Sequence, residues 1–110
     1  MICPGHVYYV QFGTNRYTEE QGRRPAICVS SDLHNQVNRS AIFVPLTRQT
    51  NKSHWHENVL VHLNGVPAVA MCAHVKECDV HFIEEEVATL EDVEFESILQ
   101  TLKSVTLERR

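Results

Sequence analysis

The sequence predicts a small α+β barrel, several short and mostly antiparallel strands closed by one helix. Three observations predict it. Short runs of β-branched, aromatic and apolar residues are separated by glycine, proline and an Asn-Gly pair. Helical periodicity is confined to the C-terminal segment, where apolar residues recur three and four apart. The chain has 110 residues, which suits one domain spanning 1–110, with a core near the lower limit for independent stability. It contains no internal repeat, linker or low-complexity segment.

The elements follow in order. His6 to Phe12 is β-branched and aromatic, lies between Gly5 and Gly13, and reads as the first strand. Residues 14 to 24 are polar without helical period and form a loop leading to Arg24. Pro25 to Ser30 is the second strand. Pro25 fixes its own φ and pushes Arg24 towards an extended conformation, at the point where the loop enters the sheet. A polar connection starting at Asp32-Leu33-His34-Asn35 reaches Ser40, with room for a turn of helix. Ala41 to Thr47 is the third strand, and Pro45 near its end implies an edge or a bulge. Residues 48 to 57 are loop. Asn58 to Leu63 alternates as a half-buried strand, Asn64-Gly65 is a tight turn, and Pro67 to Val75 is apolar enough for a central strand. Asp79 to Ile83 suits one helical turn, and Val87 to Leu90 a last short strand.

The closing helix carries one apolar face made of Val93, Phe95, Ile98, Leu99, Leu102 and Val105. Thr89 with Asp92 three residues on resembles a capping box, with Asp in place of Glu or Gln. Glu91, Asp92 and Glu94 complement the positive start of the helix, and Lys103, Arg109 and Arg110 its end.

Composition narrows the function classes. A net charge of −4 and an acidic pI near 5.9 argue against broad, charge-driven nucleic-acid binding. A local basic groove remains compatible, because Arg16, Arg23, Arg24, Arg39, Arg48 and Lys52 all fall in the first half. The start of the chain lacks the pattern of a signal peptide, and no stretch approaches the roughly 18 apolar residues of a membrane helix. A cytoplasmic location is expected. The four cysteines, Cys3, Cys28, Cys72 and Cys78, read as reduced thiols, with Cys28 and Cys72 acting as small core residues.

The residues that carry chemistry are few. Arg24 presents five fixed donors suited to phosphate, and the Thr47 hydroxyl closes a nearby strand. Taken alone, Arg24 is first a structural arginine paired with Glu19 or Glu20, and Thr47 a hydroxyl that satisfies backbone groups. Seven histidines raise the question of a metal. Neither His54-Trp55-His56 nor Cys72, His74, Cys78 and His81 has zinc-ligand spacing, although strand alternation puts Cys72 and His74 on one face. No metal or other cofactor is expected. His34 and His81 are distant candidates for a general base, and the thiols lack a triad-like setting.

Five blocks in order resemble the MazF/PemK/Kid toxins of bacterial type II toxin–antitoxin systems. They are Gly5 to Phe12, Glu20 to Ile27, Ala41 to Thr47 followed by Gln49, Val69 to Asp79, and the strand-then-helix ending. The resemblance implies an SH3-like antiparallel barrel with a C-terminal helix and a homodimer. It further implies sequence-selective, metal-independent cleavage of single-stranded RNA and silencing by a cognate antitoxin. Carried over by motif, Arg24 and Thr47 are the catalytic pair. Thr18, Glu20, Gln21, Arg23, Gln49, Trp55, His74 and Lys76 are the expected RNA contacts, with Tyr17 a further stacking candidate; Gln21 and Gln49 equally suit loop solvation, and Tyr17 and Trp55 a dimer contact or the core. His6, Gln11, His74 and Lys76 depart from the family pattern, so no recognition sequence carries over. The alternative is a non-catalytic, protein-binding member of the same fold, akin to the gyrase poisons. Those depend on a tryptophan-containing tail, whereas this chain ends Leu107-Glu108-Arg109-Arg110.

Overall fold

The structure, a computed structural model, describes residues 1–13 and 22–107, the side chains of His54 and Leu107 excepted. Its strands are β1 (His6–Gln11), β2 (Arg23–Cys28), β3 (Ser40–Thr47), β4 (Asn58–Leu63), β5 (Val66–Met71), β6 (Lys76–Asp79) and β7 (Ile83–Thr89). The helices are α1 (Asp32–Asn38) and α2 (Asp92–Leu107), with 3₁₀ turns at Thr50–His54, Cys72–His74 and Val80–Phe82. The strands form one curled antiparallel sheet in the order β4-β5-β3-β2-β1-β7, and β6 pairs with β3. The result is a half-barrel backed by α2.

β3 is the pivot. One edge pairs with β2 from Cys28–Phe43 to Ala26–Pro45. The other edge is shared: β6 pairs along Ser40 to Phe43, and β5 takes over at Leu46–Ala70 and Thr47–Val69. The 3₁₀ turn Cys72–His74 absorbs the change of register between them. This breaks the single strand expected over Pro67–Val75, and it cancels the alternation that put Cys72 and His74 on one face. Pro45 lies opposite this interruption, where its missing N–H leaves no ladder bond unmade. It is a fully buried residue at an irregularity and not at an edge.

Two other boundaries differ from the sequence reading. β7 begins at Ile83, so the acidic run Glu84-Glu85-Glu86 is strand. Carboxylates are poor strand formers, but cross-strand partners hold them here. Gln11 Nε2 donates to Glu84, Arg23 bonds both Glu84 and Glu85, and His6 Nδ1 lies 2.8 Å from Glu86 Oε2. Thr89 is the last residue of β7, and its hydroxyl donates to Glu86 instead of forming a capping box. The α2 ladder opens with Phe95 N–H donating to the Glu91 carbonyl, which makes Glu91 the N-cap.

Alternation along β1, β2 and β3 buries both faces of the sheet. Val7, Ile27, Val44 and Leu46 form one core with Ala68, Ala70, Cys72 and Ile98 of α2. Tyr8, Val10, Ala26, Cys28, Ala41 and Phe43 form the other with Phe12 and Cys78, closed by the curl of the sheet. The curl brings Lys76 Nζ within 5.7 Å of the Phe12 ring centre. Across the remaining gap, Asn64 Nδ2 donates to the Val87 carbonyl at 3.1 Å. On the outer edge of β4, His62 N–H donates to Glu94 Oε1 at 3.1 Å, so α2 covers a backbone donor that would otherwise invite another strand. No helix among the described residues is long and apolar enough to cross a membrane.

Candidate active site

Arg24 and Thr47 stand on neighbouring strands. Continuing the β2–β3 register two residues beyond Ala26–Pro45 sets Arg24 level with Thr47. Each shares alternation with the second core, Arg24 with Ala26 and Cys28, and Thr47 with Ala41 and Phe43. Both therefore face the inside of the curl. Thr47 is buried, and its Oγ1 accepts from Gln49 N–H at 3.2 Å, which fixes the hydroxyl oxygen and leaves its proton to donate. Arg24 is half-buried, with its Nε out of contact with solvent and, among the described residues, without a hydrogen-bond partner. A buried donor of this kind costs stability unless something binds it.

The same face continues sideways through the ladders. Thr47 pairs with Val69, and Val69 with Leu60, which is exposed. On the other side Val10 pairs with Arg24. Lys76, opposite Phe43, also belongs to this face and reaches over Phe12. Leu60 and Phe12 are the members that the sequence reading missed. Their signal was alternation relative to Thr47 and Arg24, visible only once strand register is known.

The remaining expected contacts divide. Gln49 is exposed immediately beyond Thr47. Trp55, 48% exposed, ends the 3₁₀ turn that packs between that loop and β4. His74 closes the turn beside β3, between the β5 and β6 pairings. Arg23 points the other way: it stacks 3.7 Å from the centre of the Tyr9 ring and bonds Glu84 and Glu85 of β7. The hydrogen bond from Arg23, joined by one from Gln11, holds the Glu84 carboxyl below its ordinary pKa. Arg23 is thus a clamp between β2 and β7 on the opposite face. Thr18, Glu20 and Gln21, with Tyr17 and Glu19, lie outside the described residues.

His34 and His81 are ruled out as partners of this pair. His34 Nε2 lies 3.3 Å from Glu77, and His81 Nδ1 2.6 Å from Asp79. Both carboxylates belong to β6, Glu77 opposite Ile42 and Asp79 opposite Ser40, roughly 17 and 23 Å of strand from Thr47. All four cysteines are free, and burial pushes the Cys72 thiol up to about 12. Among the described residues, no three His, Cys, Asp or Glu side chains cluster as metal ligands do.

A profile of the PemK-like, MazF-like toxins of type II toxin–antitoxin systems matches residues 4–106. The chain belongs to this family. Its half-barrel is similar to that of MazF from Deinococcus radiodurans, with a TM-score of 0.81, 23% identity and 94% of each chain covered. It is also similar to an endoribonuclease in complex with its cognate antitoxin from a mycobacterial species, with a TM-score of 0.79, 15% identity and 98% of each chain covered. MazF in the MazE–MazF complex of D. radiodurans gives 0.77 at 21% identity, covering 97% of this chain and 96% of that one. At these identities the likeness is one of fold. No curated sequence matches the chain.

Proposed function

We propose that this toxin is a metal-independent endoribonuclease that cleaves single-stranded RNA, with Arg24 and Thr47 as the catalytic pair. One observation carries the reading. The β2–β3 register, continued past Ala26–Pro45, sets Arg24 and Thr47 level on one face, and among the described residues the buried Arg24 Nε has no hydrogen-bond partner. A guanidinium held this way can take an anion such as a phosphodiester.

The reaction is a transesterification. The ribose 2′-oxygen attacks the adjacent phosphorus, a new P–O2′ bond forms and the P–O5′ bond breaks. The products are a 2′,3′-cyclic phosphate and a 5′-hydroxyl; the proton leaves the 2′-hydroxyl and one is delivered to the departing 5′-oxygen. Arg24 stabilises the charge that builds on the phosphoryl oxygens, and Thr47 donates a hydrogen bond to the same group. Holding the phosphate in line with the attacking oxygen supplies the rest. Arginine stays protonated throughout, so it is an electrostatic residue and not the base.

The same reading makes the toxin a cytoplasmic homodimer that a cognate antitoxin neutralises. Supporting it are the mycobacterial endoribonuclease and the D. radiodurans MazF, each similar in fold and each found with an antitoxin or MazE. The test is cleavage of single-stranded RNA by purified protein in EDTA. Cyclic phosphate ends are expected, and Arg24→Ala should abolish them. RNA that stays intact with folded, antitoxin-free protein over varied sequences overturns the proposal.

A further inference from the structure

We propose that the cavity between the end of β1 and β6 receives one nucleobase of the RNA, a reading that rests on the ribonuclease proposal above. The cavity measures about 260 Å³, and its lining includes Phe12, Gly13, Lys76, Glu77, Cys78 and Phe82. It lies below the roughly 300–1,000 Å³ of sites for drug-sized ligands. A single flat heterocycle suits it, and a helix or a run of peptide side chains does not.

Four features favour a base. Phe82, in the 3₁₀ turn after β6, is 53% exposed and offers a ring face at the rim. An aromatic surface of this kind stacks on any base. Among the described residues β6 pairs only with β3, so its second edge presents backbone donors and acceptors to the cavity. The two acidic neighbours are committed elsewhere: Glu77 accepts from Ser40 and contacts His34, and Asp79 accepts from His81. The cation of the lining is Lys76, whose ammonium lies over the Phe12 ring.

Lys76 also links the cavity to the reacting pair. Its partner Phe43 is four residues from Thr47 along β3, about 13 Å at the usual strand rise. A phosphodiester at Arg24 and Thr47 and a base in this cavity then belong to nearby nucleotides of one RNA strand. Lys76 sits where the connecting backbone must pass.

The experiment has two arms. Cleavage sites of the wild type are first mapped on a random single-stranded RNA library, and one cleaved oligonucleotide is remade with an abasic nucleotide at each position in turn. Binding is then measured in the Arg24→Ala background, with and without Phe82→Ala and Phe82→Trp. Phe82→Ala should weaken the intact oligonucleotide on the order of tenfold, Phe82→Trp should restore it, and one abasic position should erase the difference. In the active protein, Phe82→Ala should flatten base preference at that same position. If the wild type cleaves RNA while Phe82→Ala binds and cuts every site as the wild type does, the cavity proposal alone falls. If the wild type neither cleaves nor binds RNA, the ribonuclease reading falls and takes this one with it.

Discussion

Replacing Arg24 with methionine should make the protein more stable and less active at once. Methionine keeps the apolar stem and fills the same channel. It removes the Nε donor that lies buried without a partner. Such a donor costs about 1–3 kcal/mol in lost solvation, and part of that returns on substitution, so a net gain of about 1 kcal/mol is expected. For a domain of this size, that raises the thermal midpoint by roughly 4 °C or more. Against it stands the loss of a preorganised donor facing the developing charge, which lowers cleavage by about 10²- to 10³-fold. Thermal unfolding followed by circular dichroism, and cleavage of a fluorogenic RNA in EDTA, measure both on one preparation. Arg24→Lys, which keeps charge without the planar fork, should fall between wild type and Arg24→Met in cleavage. A midpoint several degrees lower for Arg24→Met would refute the reasoning, because it would make Arg24 a support of the fold. So would cleavage within tenfold of the wild type.

Thr47→Val removes the hydroxyl and its bond from Gln49 N–H; it should cost about 1 kcal/mol in urea denaturation and reduce cleavage, and Thr47→Ser should restore both. Arg23→Ala breaks exposed ion pairs to Glu84 and Glu85, so cleavage should stay near wild type and the urea midpoint at neutral pH should change little. The Glu84 carboxyl is held below its ordinary value of 4.5 by Arg23. Its share of stability is present above 4.5 and is lost as pH falls through the lower folded value. Urea midpoints across that acid range should therefore fall less in Arg23→Ala than in the wild type. Ile98→Ala opens a void in the core under α2 and should cost about 2–5 kcal/mol by the same denaturation. Burial with a thiol pKa of about 12 predicts that Cys72 reacts with a thiol reagent only after unfolding, which peptide mapping of the labelled protein checks.

The sequence carried most of the strands, because their apolar and β-branched runs are bounded by Gly5, Gly13, Pro25 and the Asn64-Gly65 turn. It failed where tertiary pairing overrides local preference. Glu84 to Glu86 fall between the expected helical turn and the expected last strand, yet they form part of β7, where Gln11, Arg23 and His6 meet them from β1 and β2. β6 escaped because Lys76-Glu77-Cys78-Asp79 is mostly charged and follows the expected strand Pro67–Val75, and the 3₁₀ turn that separates it from β5 has no glycine or proline to announce it. At the candidate site, the family resemblance pointed to Arg24 and Thr47 and set Arg24 apart from Arg23, and the two arginines lie on opposite faces of β2. Phe12, Leu60 and Phe82 escaped notice. Their relation to that pair depends on which strands are neighbours and how far the sheet curls, neither of which local sequence encodes.

The shared edge of β3 also sets an order of assembly during synthesis. The β4–β5 hairpin closes locally through Asn64-Gly65, and β2 meets β3 across one short helix. Arg24 and Thr47 can therefore be brought level early. The second edge of β1 must wait for β7, and the β4 edge for Glu94, both supplied from the far end of the chain. Such distant closures come late. A chain halted on the ribosome before β7 would hold Arg24 and Thr47 in a sheet with two bare edges, prone to pair with other strands. Completion of β7 and the last helix is what closes both edges.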